Sequence, residues 1–244
     1  RFQAYPEDRL IFFSDGVTQA GLGYPGHKFG WKREGCLEFI TTLLKRDPDI
    51  SARDLAQSIV LEAVAKNPER KCADDTSCCV IYFRVPRKLL LLTGPPFRHE
   101  DDSEFARRFN IFEGKKIISG GTTASIIGRE LNLELKPHLP APGEWLPAPS
   151  EMDGADLVTE GILTLTETVK HLESGSTNPP PAVKRLCNLL TESDEVHFLV
   201  GTKVNEAHHD PTLPVDLEVR RHIIRRLSNI LEEKMLKNTI IEYI

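Results

Sequence analysis

Short apolar runs alternate with stretches of helical periodicity along this chain. Residues 9–14 (RLIFFS), with four consecutive apolar side chains at 10–13, read as a buried strand ending in the turn-like Asp15-Gly16. Residues 17–30 are glycine-rich and contain Pro25, and so read as a loop. Cys36, Leu37, Phe39, Ile40, Leu43 and Leu44 recur at helical spacing and predict a helix over 31–46. Leu55, Ile59, Ala63 and Val64 predict a second helix over 51–66, with Ser51 as N-cap and Asp54 three residues on. Residues 76–84 (TSCCVIYFR) return to strand character.

Pro86 marks a change of pattern. Strands are predicted at 88–93, 115–119, 155–159 and 195–201, and helices at 101–109, 122–131, from about 160 to 172, and 182–191. Residues 137–151 hold Pro137, Pro140, Pro142, Pro147 and Pro149 and predict an irregular connection. Residues 174–181 read as a Ser/Gly/Pro linker and 203–216 as a loop. A long helix over 217–236 and a short terminal strand over 238–244 complete the pattern. Short buried strands joined by helices make an open, mostly parallel sheet covered on both faces. The sequence thus predicts an α/β protein with a division near Pro86: residues 1–86, then an α/β domain over 87–244.

Composition supports a globular chain: 40% of residues are hydrophobic and 27% charged. The net charge is −5, with residues 1–86 balanced and the remainder carrying the deficit, so nucleic acid and anionic membranes are poor partners. No apolar stretch is long enough to span a bilayer. The cysteine count is odd (Cys36, Cys72, Cys78, Cys79 and Cys187) and no CxxC pair occurs, so reduced core cysteines and a cytoplasmic setting are expected.

Asp15 ends one apolar strand, and Asp74-Asp75 precede another. Carboxylates at strand ends can converge from distant sequence positions, and hard oxygen ligands suit Mg²⁺ or Mn²⁺. Gly16 would let the backbone turn beside such a cluster. Asp-Gly is also a common turn dipeptide, and Asp-Asp-Thr a plausible cap. FFSDGVTQAG followed, after a two-helix segment, by ADDTSCCVIYFR resembles the closing part of the PPM family of metal-dependent protein serine/threonine phosphatases, closest to its sporulation-stage-II-E-like bacterial branch. The resemblance implies the C-terminal portion of a PPM β-sandwich. It implies Asp15 and Asp74 as Mn²⁺ or Mg²⁺ ligands, Asp75 as a supporting polar neighbour and Gly16 as the tight-turn residue. The implied activity is attack by metal-activated water on the phosphoserine or phosphothreonine of a phosphoprotein substrate. Family members carry further acidic ligands in strands well upstream of the SDG motif, and only 14 residues precede Asp15. A fragment of a longer phosphatase, inactive alone, is therefore expected.

Three loops of the second part follow predicted strands: Thr93-Gly94-Pro95-Pro96, Ser119-Gly120-Gly121-Thr122-Thr123 and Thr159-Glu160-Gly161. In a parallel sheet all three lie at one edge. Gly-Gly-Thr-Thr opening a helix presents backbone N–H groups and hydroxyls suited to a small anionic ligand. Gly94, Gly120, Gly121, Thr122, Thr123, Glu160 and Gly161 are the candidate residues. Glu160 and Asp101-Asp102 are candidate oxygen donors for Mg²⁺ or a base. Glycine turns and threonine caps account for the same pattern without a ligand, and neither a P-loop nor a dinucleotide fingerprint is present. TGPP, GKKIISGGTTASIIGREL and DLVTEGILTL resemble the extension found behind the phosphatase domain in a clostridial-type group of the same family, which implies no catalytic residues. His208-His209, with Glu206 and Asp210, form a further His/acid cluster without zinc-type spacing. His99 beside Glu100-Asp101-Asp102 reads as a solvated charge cluster. Arg220, Arg221, Arg225 and Arg226 read as the solvated face of the last helix. The leading expectation is a phosphatase fragment with a regulatory or ligand-binding C-terminal domain. The alternative is a non-catalytic anion-, nucleotide- or protein-binding module.

Overall fold

The computed structural model describes residues 2–138, 146–175, 178–203 and 214–244. The chain divides into two units, Arg1–Val85 and Pro86–Ile244. The whole is a mixed α/β protein with one small antiparallel sheet and one parallel sheet.

In the first unit, β1 (Arg9–Phe13) pairs antiparallel with β2 (Cys78–Tyr82), in the register Ile11 opposite Val80 and Phe13 opposite Cys78. Side chains alternate across a strand, so Ile11, Phe13, Cys78 and Val80 pack inward. Their core partners come from α2 (Lys32–Arg46) and α3 (Ala52–Lys66): Cys36, Ile40, Leu43, Leu55 and Ile59. The expected cap of α3 is present, with the Ser51 hydroxyl accepting from the Asp54 N–H at 3.0 Å. The expected turn at Asp15-Gly16 is instead a four-residue helix, α1 (Asp15–Thr18), because Ser14 stays extended and the chain coils immediately after it.

In the second unit, β3 (Lys88–Thr93), β4 (Lys115–Ser119), β5 (Leu157–Thr159), β6 (Glu195–Val200) and β7 (Asn238–Tyr243) form a parallel sheet in the order β5-β4-β3-β6-β7. The run KLLLLT of β3 is apolar on both sides because both faces are covered. Leu89 and Leu91 join a core built with α6 (Ile162–Ser174), α7 (Pro181–Glu192) and α8 (Pro214–Met235). Leu90 and Leu92 join a core built with α4 (Asp102–Ile111) and α5 (Gly121–Leu131). The result is a sheet between two helical layers.

The connection predicted as irregular carries two single bridges, Lys136 with Glu151 and Ser150 with Val158. The predicted linker at 174–181 is shorter than expected, since α6 runs through Ser174 and α7 starts at Pro181. The helix predicted from 217 begins at Pro214, a residue suited to a first helical turn. His208-His209 with Glu206 and Asp210 lie outside the described residues. No helix among the described residues is long and apolar enough to cross a membrane.

All five cysteines are unpaired. Burial pushes the Cys36 thiol up to about 11 and Cys187 up to about 12, which keeps both protonated and inert at neutral pH. Cys72 and Cys79 are exposed, contrary to the expectation of core positions throughout.

Candidate functional site

The two acidic motifs of the first unit meet. Ser14 donates its hydroxyl to the Asp75 carbonyl at 2.8 Å and accepts from the Ser77 N–H at 3.0 Å. Its backbone N–H reaches the Ser77 carbonyl at 3.1 Å. These bonds extend the β1–β2 ladder and hold the start of α1 against the Asp74–Thr76 segment. Gly16 is buried in that contact: a Cβ there would stand 2.5 Å from the Asp75 carbonyl oxygen and 3.0 Å from Thr76 Oγ1. The obstacle is main chain, so Gly16→Ala is expected to destabilise the first unit by about 1–3 kcal/mol. That outweighs the gain of up to about 1 kcal/mol that alanine brings to a helix. Thermal unfolding of the variant against wild type checks it.

The carboxylates themselves are exposed. Asp15 accepts from Gln19 Nε2 at 3.3 Å, and Asp74 accepts from the Asp75 N–H at 2.7 Å. Asp74 lines a cleft of about 360 Å³ with Gly16, Gln19, Asn67, Glu69 and Lys71, whereas Asp15 and Asp75 are not part of its wall. Among the described residues no three His, Cys, Asp or Glu side chains come together as a metal-binding group. The donor set of the described residues therefore does not by itself make a complete two-metal centre.

In the second unit the three glycine-containing loops do lie at one edge, as a parallel sheet requires. They line a single cleft of about 260 Å³. Thr93, Gly94 and Pro95 come from the end of β3, Ser119 to Thr123 from the end of β4, and Glu160, Gly161 and Ile162 from the end of β5. Arg220 of α8 completes the wall. The arginine assigned to a solvated helix face thus faces the sheet edge, while Arg225 and Arg226 are exposed as expected. Arg226 is held by Glu173 at 2.7 Å, and Arg221 stacks on Tyr243.

The strand order places the topological switch between β3 and β6, where open α/β sheets usually bind ligands. Here that crevice is filled by backbone. Gly201, just past β6, packs so closely on the β3 exit that a Cβ would fall 2.1 Å from the Pro95 carbonyl oxygen. Lys203 N–H donates to the same carbonyl at 3.1 Å. The Arg220 guanidinium lies across Gly94, whose φ of +78° and missing Cβ leave room for it. The open volume is therefore displaced onto β3, β4 and β5.

A second hollow of about 180 Å³ adjoins the first, sharing Pro95 and Thr122, and includes His99, Asp102, Arg129 and Lys203. Asp102 was expected as an exposed oxygen donor. It is buried instead, because Arg129 of α5 pairs with it at 2.5 Å and His99 at 3.2 Å. Its position in the first turn of α4 also suits the helix dipole. Arg129 and Lys203 have no sequence assignment, and Arg220 reads as solvent-facing, because single cations on helices and loops carry no local signal of what they face.

No protein-family model, curated protein or solved structure matches this chain.

Proposed function

We propose that the first unit is the closing part of a PPM-type protein serine/threonine phosphatase domain, in which Asp15 and Asp74 contribute to a Mn²⁺ or Mg²⁺ site. The second unit is its ligand-binding, regulatory partner. The observation that carries this reading is the packing of the SDG segment, at the start of α1, on the DDT segment, with buried Gly16 against the Asp75 carbonyl. Two motifs about sixty residues apart in sequence are thereby brought into contact. A second feature supports it. The outward face of the β1–β2 pair presents Phe12, Cys79 and Ile81 to solvent. A sandwich covers such a face with a second sheet.

Asp15, Asp74 and the supporting Asp75 would act with further acidic ligands supplied by another segment. The metal would provide an activated water for attack on the phosphorus of a phosphoserine or phosphothreonine. The test is Mn²⁺-dependent phosphate release from a phosphoserine peptide by the intact gene product. Asp15→Asn and Asp74→Asn are each expected to lower that rate by more than about 100-fold, the upper end of what loss of an outer-sphere partner costs a metal site. Unchanged rates in both variants would sink the proposal, as would an upstream sequence without acidic residues at strand ends.

A further inference from the structure

The helix that opens on Gly120-Gly121 is built as if for a guest. Neither α5 nor α6 has a side-chain N-cap, and neither carries an acidic residue in its first turn. Backbone N–H groups at such a terminus need acceptors, and the helix dipole favours a negative one. The two termini adjoin: a Cβ on Gly161 would stand 3.2 Å from the Gly120 Cα.

Thr123 is the independent observation. It lines the cleft at the third helical position of α5, is 1% exposed, and its Oγ1 has no hydrogen-bond partner among the described residues. Its hydroxyl lies close to Gly120, 3.3 Å from where a Cβ would be. A buried hydroxyl without a partner costs stability, and a threonine in a helix has two accessible χ1 rotamers through which to turn. Arg220 brings a guanidinium to the same wall, a group whose planar fork suits oxyanions.

We propose that this cleft binds the phosphate group of a small phosphomonoester, seated on the N-terminus of α5, with the Thr123 hydroxyl donating to it and Arg220 as its counter-charge. The volume of about 260 Å³ suits a small phosphorylated molecule better than a folded phosphoprotein surface. The adjoining hollow with His99, Arg129 and Lys203 receives the rest of the ligand. Glu160 is exposed on the rim and opposes the anion. Its role is to accept from a ligand hydroxyl and so to favour an ester over inorganic phosphate. This deepens the ligand-binding reading of the second unit and requires nothing of the phosphatase reading. Loss of one leaves the other standing.

The experiment is thermal unfolding and calorimetric titration of the full chain with inorganic phosphate and with glycerol phosphate, against chloride at equal ionic strength. Both phosphates are expected to bind saturably and raise the Tm. Thr123→Val is expected to weaken binding about 10-fold or more, as loss of a hydrogen bond to a charged group does. The same variant should raise the Tm of the phosphate-free protein, because an unpartnered hydroxyl is removed. A merely structural threonine would not give that opposite pair of effects. Thr123→Ser should retain binding. Arg220→Gln should weaken it about 10-fold or more, with Arg220→Lys intermediate. Glu160→Gln should tighten binding of inorganic phosphate. The proposal is overturned if chloride gives the same Tm shift, or if phosphate binds Thr123→Val and Arg220→Gln as it binds wild type. It is equally overturned if a phosphoserine peptide binds while neither small phosphate does.

Discussion

Phe198→Ala is expected to cost the second unit about 3–5 kcal/mol, the range for deleting a fully buried aromatic side chain. Phe198 sits on β6 between β3 and β7, in register with Leu91 and Ile241, and is 1% exposed. It belongs to the larger of the sheet's two cores, with Leu89, Ile117, Leu165 and Leu227 among its members. Helices α6, α7 and α8 all close on that face, so a void there has few ways to collapse. The neighbouring Leu199 points to the opposite face, among Leu92, Phe105 and Ile118. Leu199→Ala should cost about 2–5 kcal/mol through a separate cavity. Urea denaturation with amide exchange of β3 and β7 checks both. A Phe198→Ala midpoint equal to wild type would contradict the assigned packing.

Much of the α/β architecture was legible because it rests on local patterns. KLLLLT and EVHFLV are short apolar runs that only a covered sheet accommodates, and the intervening segments carry helical periodicity. Ser51 and Asp54 announced a helix start that needs no tertiary support. The Asp15-Gly16 turn was misread since Asp-Gly is equally at home in the first turn of a helix once the preceding residue stays extended. Strand order is a different matter. Nothing local says that β6 pairs with β3 rather than with β5, since that choice depends on which edge the chain crosses to after α7.

The candidate sites divide along the same line. Gly94, Gly120–Thr123 and Glu160-Gly161 could be grouped from sequence because parallel strands bring all their exits to one edge. Arg220 lies 59 residues beyond Gly161, and only the return of α8 across the sheet brings it there. Asp102 read as a solvent-exposed acid because its partner Arg129 is on the next helix, beyond any window of sequence periodicity. In the first unit the contact of Ser14 and Gly16 with the Asp75–Ser77 segment follows from the antiparallel register of β1 and β2: Phe13 opposite Cys78 places the segment after β1 beside the segment before β2.

Gly201→Ala is expected to cost at least about 3 kcal/mol, the top of the usual range for overpacking. A methyl group at Gly201 would fall 2.1 Å from the Pro95 carbonyl oxygen, 2.2 Å from its carbon and 2.3 Å from the Gly94 carbonyl oxygen. All three are main-chain atoms, so no side chain can swing away to make room. The backbone on each side is also committed. Gly201 N–H donates to the Thr93 carbonyl at 2.9 Å, Thr202 N–H to the Ile244 carbonyl at 2.8 Å, and Lys203 N–H to the Pro95 carbonyl at 3.1 Å. Separating β6 from β3 at this point would strain the Gly201 and Lys203 bonds and displace Gly94, on which Arg220 rests. Gly121→Ala is the matched control. It has open space around the added methyl and no positive φ, and it should be neutral or stabilising by about 0.4–1 kcal/mol. Chemical denaturation of the two variants should therefore move in opposite directions or leave Gly121→Ala unmoved. A Gly201→Ala protein as stable as wild type would show that the β3 and β6 exits do not meet, and the displacement of the cleft toward β4 and β5 would lose its cause.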